Sequence, residues 1–166
     1  ERFVRETPII EHAKKVGVFV NASLDEITRQ IQIHSLDTVQ LHGNETPELC
    51  AQIDPEISLI KAFGIEERFN FEDTRSYEDV VDFFLFDTKT PLHGGSGQQY
   101  DWSILSNYTG SVPFFLSGGI GPNSLAALQQ FRHPQFAGID LNSGFERSAA
   151  DKDISLLDQF IEQLKN

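Results

Sequence analysis

Short runs of β-branched and aromatic residues recur six times along the chain and predict β-strands. Several of these runs are apolar without an alternation of polar positions, which is typical of strands that are buried on both faces of a sheet. The predicted strands are Val16–Val20, Thr38–Leu41, Leu59–Phe63, Asp82–Phe86, Pro113–Leu116 and Phe136–Leu141.

Helical patterns occupy the segments between these runs. Ser23 followed by Glu26 is a capping-box pattern that starts a helix. Thr46 before Pro47 is a second start signal, because proline suits the first helical position. A further helix is predicted at Thr7–Lys15. The last predicted helix is the clearest, and its apolar face is formed by Ile154, Leu157, Phe160, Ile161 and Leu164.

Alternation of strands and helices indicates an α/β fold with parallel strands, either an open doubly wound sheet or a (β/α) barrel. Polar residues and glycines follow nearly every predicted strand, whereas an open sheet concentrates them at one switch point. We therefore predict a (β/α)8 TIM barrel. The residues in question are Asn21, His42-Gly43, Gly64, Asp87, Ser117-Gly118-Gly119 and Asn142-Ser143-Gly144.

The strand count differs from that of a complete barrel. Such a barrel has eight strands, and the pattern predicts six, so about six of the eight βα units are expected in this chain. The sequence also contains no methionine. We therefore expect residues 1–166 to form a single (β/α)-barrel domain that is N-terminally incomplete, with two strands and one helix preceding it.

The composition of the chain disfavours nucleic acid and acidic membranes as binding partners. The 166 residues are 39% hydrophobic, enough for one core, and 25 acidic against 13 basic residues give a net charge of −12. Such a charge repels nucleic acid and acidic membranes. No apolar run approaches the ~20 residues of a membrane span, and Glu1–Ile10 lacks the apolar stretch of a signal peptide. Cys50, the single cysteine, favours a reducing compartment, hence the cytoplasm.

Asp87 is the first candidate for chemistry, because the aromatic run Phe83–Phe86 leads directly to it. Apolar surroundings disfavour the charged carboxylate and keep a carboxylic acid protonated, as a general acid requires. We expect Asp140 to assist if the two carboxyl groups lie close enough to couple. The alternative, that Asp87 only caps a loop through backbone hydrogen bonds, stays open.

Two loops predict a phosphate site. Ser117-Gly118-Gly119 and Asn142-Ser143-Gly144 would follow the seventh and eighth strands of a complete barrel, where barrel enzymes often bind phosphate. Two tight turns with positive φ are the alternative explanation. The glycine-rich loop Gly94–Gly97 is either an anion-binding loop or a flexible surface loop.

The remaining polar candidates are His42 and Asp140, each of which has a structural alternative. The histidines show no spacing typical of metal ligands, no cysteine pair exists for zinc, and no nucleophile elbow is present. We therefore expect neither a metal nor a cofactor.

Five segments in family order, spanning nearly the whole chain, resemble phosphoribosylanthranilate isomerase, a (β/α)8-barrel enzyme of tryptophan biosynthesis. They are Val16–Asn21, Val39–Glu45, Phe86–Thr88 with Gly94–Gly97 and Asp101-Trp102, Leu116–Ile120, and Gly138–Glu146.

This resemblance implies a cofactor-free Amadori rearrangement of N-(5-phosphoribosyl)anthranilate. A general acid protonates the furanose ring oxygen, and a general base removes the proton at C2 of the sugar. The family's acid matches Asp87, its substrate-contacting histidine matches His42, and its strand-eight aspartate matches Asp140. Arg2 resembles the arginine that meets the anthranilate carboxylate. The phosphate loops match Gly118, Gly119, Ser143 and Gly144.

The chain departs from the family at the general base. That base is a cysteine in a Lys-x-Cys-Gly-type segment that nothing here matches, and Cys50 belongs to the scaffold. Two alternative functions therefore remain: another phosphosugar-binding barrel enzyme, or a catalytically dead phosphate-binding fragment. The sequence leaves the oligomeric state open.

Overall fold

Six parallel strands form a single sheet, in which every strand pairs with its neighbours in sequence, in the order β1 to β6. A computed structural model of the protein describes residues 13–88 and 102–165. Sequential order without a reversal is the arrangement of a barrel rather than of a doubly wound sheet. The strands are β1 Val16–Phe19, β2 Thr38–Leu41, β3 Ser58–Ile65, β4 Phe83–Thr88, β5 Phe114–Ser117 and β6 Phe136–Ile139. The six strands predicted from the sequence are confirmed.

Among residues 13–88 and 102–165, the helices are shorter and fewer than a regular βα alternation predicts. Short 3-10 helices, Phe71–Tyr77 and Ser103–Asn107, follow β3 and β4. Of the helix predicted at Thr7–Lys15, residues 13–15 are described and are not helical. The α-helices are α1 Leu24–His34, α2 Pro47–Cys50, α3 Leu125–Gln130 and α4 Ile154–Lys165. No helix in the two described ranges is long and apolar enough to cross a membrane.

Both predicted helix starts are confirmed by their caps. The Ser23 hydroxyl accepts a hydrogen bond from the Glu26 backbone amide at 3.3 Å. The Thr46 hydroxyl accepts from the Leu49 amide at 3.4 Å, and Pro47 occupies the first turn of α2. These bonds satisfy amides that lack a partner within the helix, so the turns after β1 and β2 are fixed locally.

The layer between sheet and helices contains two buried clusters. The amino-terminal cluster consists of Ile27, Val39, Leu41, Cys50, Ile53 and Leu59. The carboxyl-terminal cluster is larger and aromatic, and includes Phe84, Phe86, Tyr108, Phe114, Phe145 and Phe160. Tyr77 and Val81 pack against both clusters. On the opposite face of the sheet, Ile60, Ala62 and Leu85 form a small inner core.

An antiparallel pair of short strands, β7 Glu146–Ser148 and β8 Asp151–Lys152, follows β6 and was not predicted. The 3-10 turn before it, Ser143–Phe145, buries Phe145 against Phe160 of α4, with ring centroids 4.8 Å apart. This contact anchors the last helix next to the loop that carries Ser143.

Candidate active site

A cavity of about 200 Å³ lies at the carboxyl ends of the strands, where barrel enzymes hold their chemistry. It is lined by His42, Asp87, Ser117, Gly118, Gly119, Ile120, Asp140, Asn142 and Ser143. A larger cavity of about 730 Å³ is lined by residues that precede β5 and β6, such as Tyr108 and His133. It lies at the opposite ends of the strands, so size does not identify the active site here.

His42 and Asp87 face each other across this cavity although their strands are not neighbours. The His42 Nε2 atom is 3.6 Å from the Asp87 Oδ2 atom. β3 lies between them, and Gly64 is the β3 residue paired with Asp87. Gly64 has no side chain, and no atom lies within 4 Å of the position of a Cβ there, so β3 places no side chain between the imidazole and the carboxyl group.

The imidazole is oriented by Gln40, whose amide nitrogen lies 3.1 Å from His42 Nδ1. An amide nitrogen donates, so Nδ1 accepts and the ring hydrogen of a neutral imidazole is on Nε2. That assignment directs the Nε2–H group towards Asp87.

The aromatic residues before Asp87 do not enclose its carboxyl group, contrary to the expectation from the sequence. Phe86 packs on Tyr108 and Phe114 in the carboxyl-terminal cluster, behind the sheet. Successive side chains of a strand alternate between faces, so Asp87 points to the other side. Its side chain is 37% exposed, and the His42 Nε2 atom lies 3.6 Å from its carboxyl group.

Asp140 is held by Ser117, whose hydroxyl donates to the Asp140 Oδ2 atom at 2.8 Å. Ser117 is also the β5 residue that pairs with Asp87. The serine therefore stands between the strands that carry the two carboxyl groups.

The predicted phosphate loops meet at the same cavity, and their glycines have different roles. Gly118 and Gly119 have positive φ angles of 93° and 64°, which glycine adopts readily, and both line the cavity with Ser143. Gly144 is not among the lining residues. A Cβ at Gly144 would collide with the carbonyl oxygen of Ile120, so this glycine permits the two loops to pack on each other.

Three predicted features lie outside the described residues: Arg2, the Gly94–Gly97 loop and Asp101. Trp102, next to the last of these, is 5% exposed and packs edge-on against Phe131 behind the sheet.

Sequence reasoning missed a buried ion pair beside the loop that carries His42. Lys61 and Glu45 are 2% and 4% exposed, and the Lys61 Nζ atom is 3.3 Å from the Glu45 Oε2 atom. The ammonium lies 5.2 Å from the centre of the Phe63 ring. A single lysine within an apolar run gives no signal of such burial, because most lysines keep their charge in water.

Burial and neighbouring groups have opposing effects on the pKa values of Glu45 and Lys61. Burial raises the pKa of Glu45, but hydrogen bonds from the Asn21 and Gly43 amides and the charge of Lys61 outweigh it, and the net pKa is lowered. Burial lowers the pKa of Lys61, and the charge of Glu45 opposes this effect.

Cys50 lies on α2 within the amino-terminal cluster, as the sequence predicts for a scaffold residue. Burial raises the pKa of its thiol to about 11. A thiol with that pKa is a poor proton acceptor near neutral pH.

Comparison with known proteins identifies one family. A model of "N-(5'phosphoribosyl)anthranilate (PRA) isomerase" matches residues 3–163. The protein of that name from Parabacteroides distasonis is 50% identical, over 99% of this chain and 78% of its own length. Its counterpart from Phocaeicola vulgatus is 46% identical, over 99% of this chain and 82% of its own length.

Solved structures lead to the same family. Phosphoribosyl anthranilate isomerase from Thermotoga maritima is 35% identical and superposes with a TM-score of 0.79, over 95% of this chain and 75% of its own. A second isomerase structure, 30% identical with a TM-score of 0.78, covers 95% of this chain and 74% of its own. That protein was crystallised with reduced 1-(o-carboxyphenylamino)-1-deoxyribulose 5-phosphate.

Proposed function

We propose how residues of this chain carry out an isomerisation, starting from the fact that the chain belongs to the family of N-(5'-phosphoribosyl)anthranilate isomerases. The reaction converts N-(5-phosphoribosyl)anthranilate to the corresponding 1-deoxyribulose 5-phosphate, a step of tryptophan biosynthesis. One observation carries the proposal: a candidate acid and two phosphate-type loops line one cavity at the carboxyl ends of the strands. A substrate with a sugar ring and a terminal phosphate spans these two parts.

Asp87 is the general acid in this proposal. Its carboxylic acid gives a proton to the furanose ring oxygen while the bond from that oxygen to C1 breaks, and the nitrogen lone pair forms the Schiff base. A base then removes the proton on C2. The resulting enaminol gains a proton at C1 and loses the proton of its C2 hydroxyl, which gives the ketone. The position of Asp87, at the end of β4 and open to the cavity, supports its role in the first step.

The other side chains bind and orient the substrate. His42 contacts the substrate beside the acid. Asp140, held by Ser117, orients the substrate from the loop after β6. The backbone at Gly118, Gly119 and Ser143 binds the phosphate, with Gly144 closing the loops behind it. Arg2, outside the described residues, pairs with the anthranilate carboxylate.

The base of the second step is not Cys50, because that thiol is buried in the amino-terminal cluster and its pKa is raised to about 11. No cofactor takes part in this proposal. We also propose a cytoplasmic location, because a reducing compartment keeps a single cysteine as a thiol.

Isomerase kinetics of Asp87→Asn in the full-length protein test the acid. Asparagine keeps the shape but has no proton to give, so we expect kcat to fall by about 10²- to 10⁴-fold with little change in substrate binding. Asp158→Asn, on an exposed part of α4, makes the same replacement away from the cavity and is the matched control. Near-normal turnover of Asp87→Asn would overturn the assignment.

A further inference from the structure

Burying an ion pair is costly unless hydrogen bonds satisfy both charged groups. Glu45 and Lys61, which the reaction above does not use, are both almost fully buried. Their hydrogen bonds converge on the loop that follows β2 and carries His42. The partners of the pair therefore indicate what it does for the site.

Both polar groups of Gly43, the residue next to His42, are held by this pair. The Gly43 backbone amide donates to the Glu45 Oε2 atom at 2.9 Å. The Gly43 carbonyl oxygen accepts from the Lys61 Nζ atom at 2.8 Å. Because the two bonds act on opposite sides of one residue, they restrict its rotation.

The same carboxylate joins this loop to the end of β1. The Glu45 Oε1 atom accepts from the Asn21 amide at 2.7 Å, and the Asn21 side chain accepts from the Asn44 amide at 2.7 Å. A Cβ on Gly43 would approach the Asn21 amide nitrogen to 2.7 Å, so the loop packs without space to shift.

Residues of β3 and of the 3-10 helix after it also hold Glu45 and Lys61 in place. The Tyr77 hydroxyl donates to the Glu45 carbonyl oxygen at 2.9 Å, and the Lys61 Nζ atom reaches the Ala62 carbonyl oxygen at 3.1 Å. The loop therefore rests on β3 and on the turn after it rather than on solvent.

We propose that Glu45 and Lys61 are positioning residues that, through Gly43, hold the imidazole of His42 at its place 3.6 Å from Asp87. The inference rests on the proposed roles of His42 and Asp87. Neither Glu45 nor Lys61 lines the cavity, so they act through His42 and not on the substrate.

The test is the double variant Glu45→Gln with Lys61→Met, which removes both charges together and leaves no buried charge unpaired. Glutamine offers one oxygen where two amides now donate, so the Gly43 loop loses a hydrogen bond. The control is Glu72→Gln with Arg75→Met, which neutralises an exposed ion pair of 2.7 Å. Glu45→Asp keeps the charge and shortens the side chain, and it decides the question if the double variant does not fold.

The first readout needs no turnover. In NMR spectra of folded protein, the ring signals of His42, identified by their loss in His42→Ala, shift in the double variant and in Glu45→Asp. The ring signals of His133, which lines the cavity at the opposite ends of the strands, do not shift. The control leaves both rings unchanged. Unmoved His42 signals in folded variants overturn the proposal.

The second readout is kinetic. We expect kcat/KM to fall by about 10- to 100-fold in the double variant, because a displacement of 1 Å in a site can cost that much. In a His42→Ala background the same changes should cause no further loss. Losses that multiply in that background overturn the proposal. If the parent protein shows no isomerase turnover, the proposed function fails, while the NMR readout still decides the positioning role.

Discussion

Replacing Gly144 by alanine should separate the two loops that we assign to phosphate binding. A Cβ at this position would lie 3.0 Å from the Gly121 Cα atom and 3.1 Å from the Ile120 carbonyl carbon, and nearer still to the Ile120 oxygen. Carbon atoms in contact prefer about 3.5–4.0 Å, so the loops must move apart by at least ~0.5 Å. All these atoms belong to the backbone, and no side chain can turn away to relieve the contact.

The expected cost is that of an overpacked core, about 1–3 kcal/mol. For a chain of this length, each kcal/mol lowers Tm by about 2–4 °C, so we expect Gly144→Ala to melt about 2–12 °C below the parent protein. Separation of the loops should also weaken binding of inorganic phosphate. Thermal unfolding by circular dichroism and calorimetric titration with phosphate measure the two effects.

Gly64→Ala is the matched control for stability. No atom lies within 4 Å of its Cβ position, and alanine reduces the freedom of the unfolded chain, which is worth about 0.4–1 kcal/mol. Its Tm should therefore equal or slightly exceed that of the parent. The reasoning is refuted if Gly144→Ala has the Tm and the phosphate affinity of the parent protein.

Two further predictions concern buried ionisable groups. The pKa of the Cys50 thiol is raised to about 11, so we expect no reaction with a thiol reagent at pH 8 in the folded protein. The thiol should react once denaturant unfolds the chain. Rapid labelling of the native protein would contradict the burial of Cys50. The pKa of Glu45 is lowered, so its stabilising contribution is complete above the unfolded value of about 4.3 and is lost as pH falls through the folded value. Glu45→Gln should therefore flatten the decline of Tm as the pH falls below about 4.3, and equal slopes of the two proteins in that range contradict this.

The strands were predictable because their residues are apolar on both faces, and the helix starts because Ser23 and Thr46 are local caps. Neither signal depends on distant parts of the chain. The pairing of β7 with β8 left no such signal, since the strands are short and mostly polar, with Glu146 bonded to Lys152.

The candidate site was predictable only in outline. His42 and Asp87 were expected at one end of the barrel because parallel strands place their carboxyl ends together. Phe86 faces away from Asp87, as the alternation of side chains along a strand requires. The contact of Lys61 with Glu45 joins residues from two different parts of the chain, and no local pattern predicts it. The sequence places Gly144 in a phosphate loop, and the structure adds that this glycine packs against the chain's own Ile120.

The division of the core into two clusters has a consequence for cooperativity. His42 follows β2, which is anchored in the amino-terminal cluster, and Asp87 belongs to β4, which is anchored in the carboxyl-terminal cluster. Parts of a protein with separate cores can open separately, as native-state hydrogen exchange detects. A ligand that touches both residues joins the two parts, because its binding free energy is lost when either opens. Bound substrate would then slow amide exchange in both halves at once. It would couple the opening of the two clusters, which already share the contacts of Tyr77.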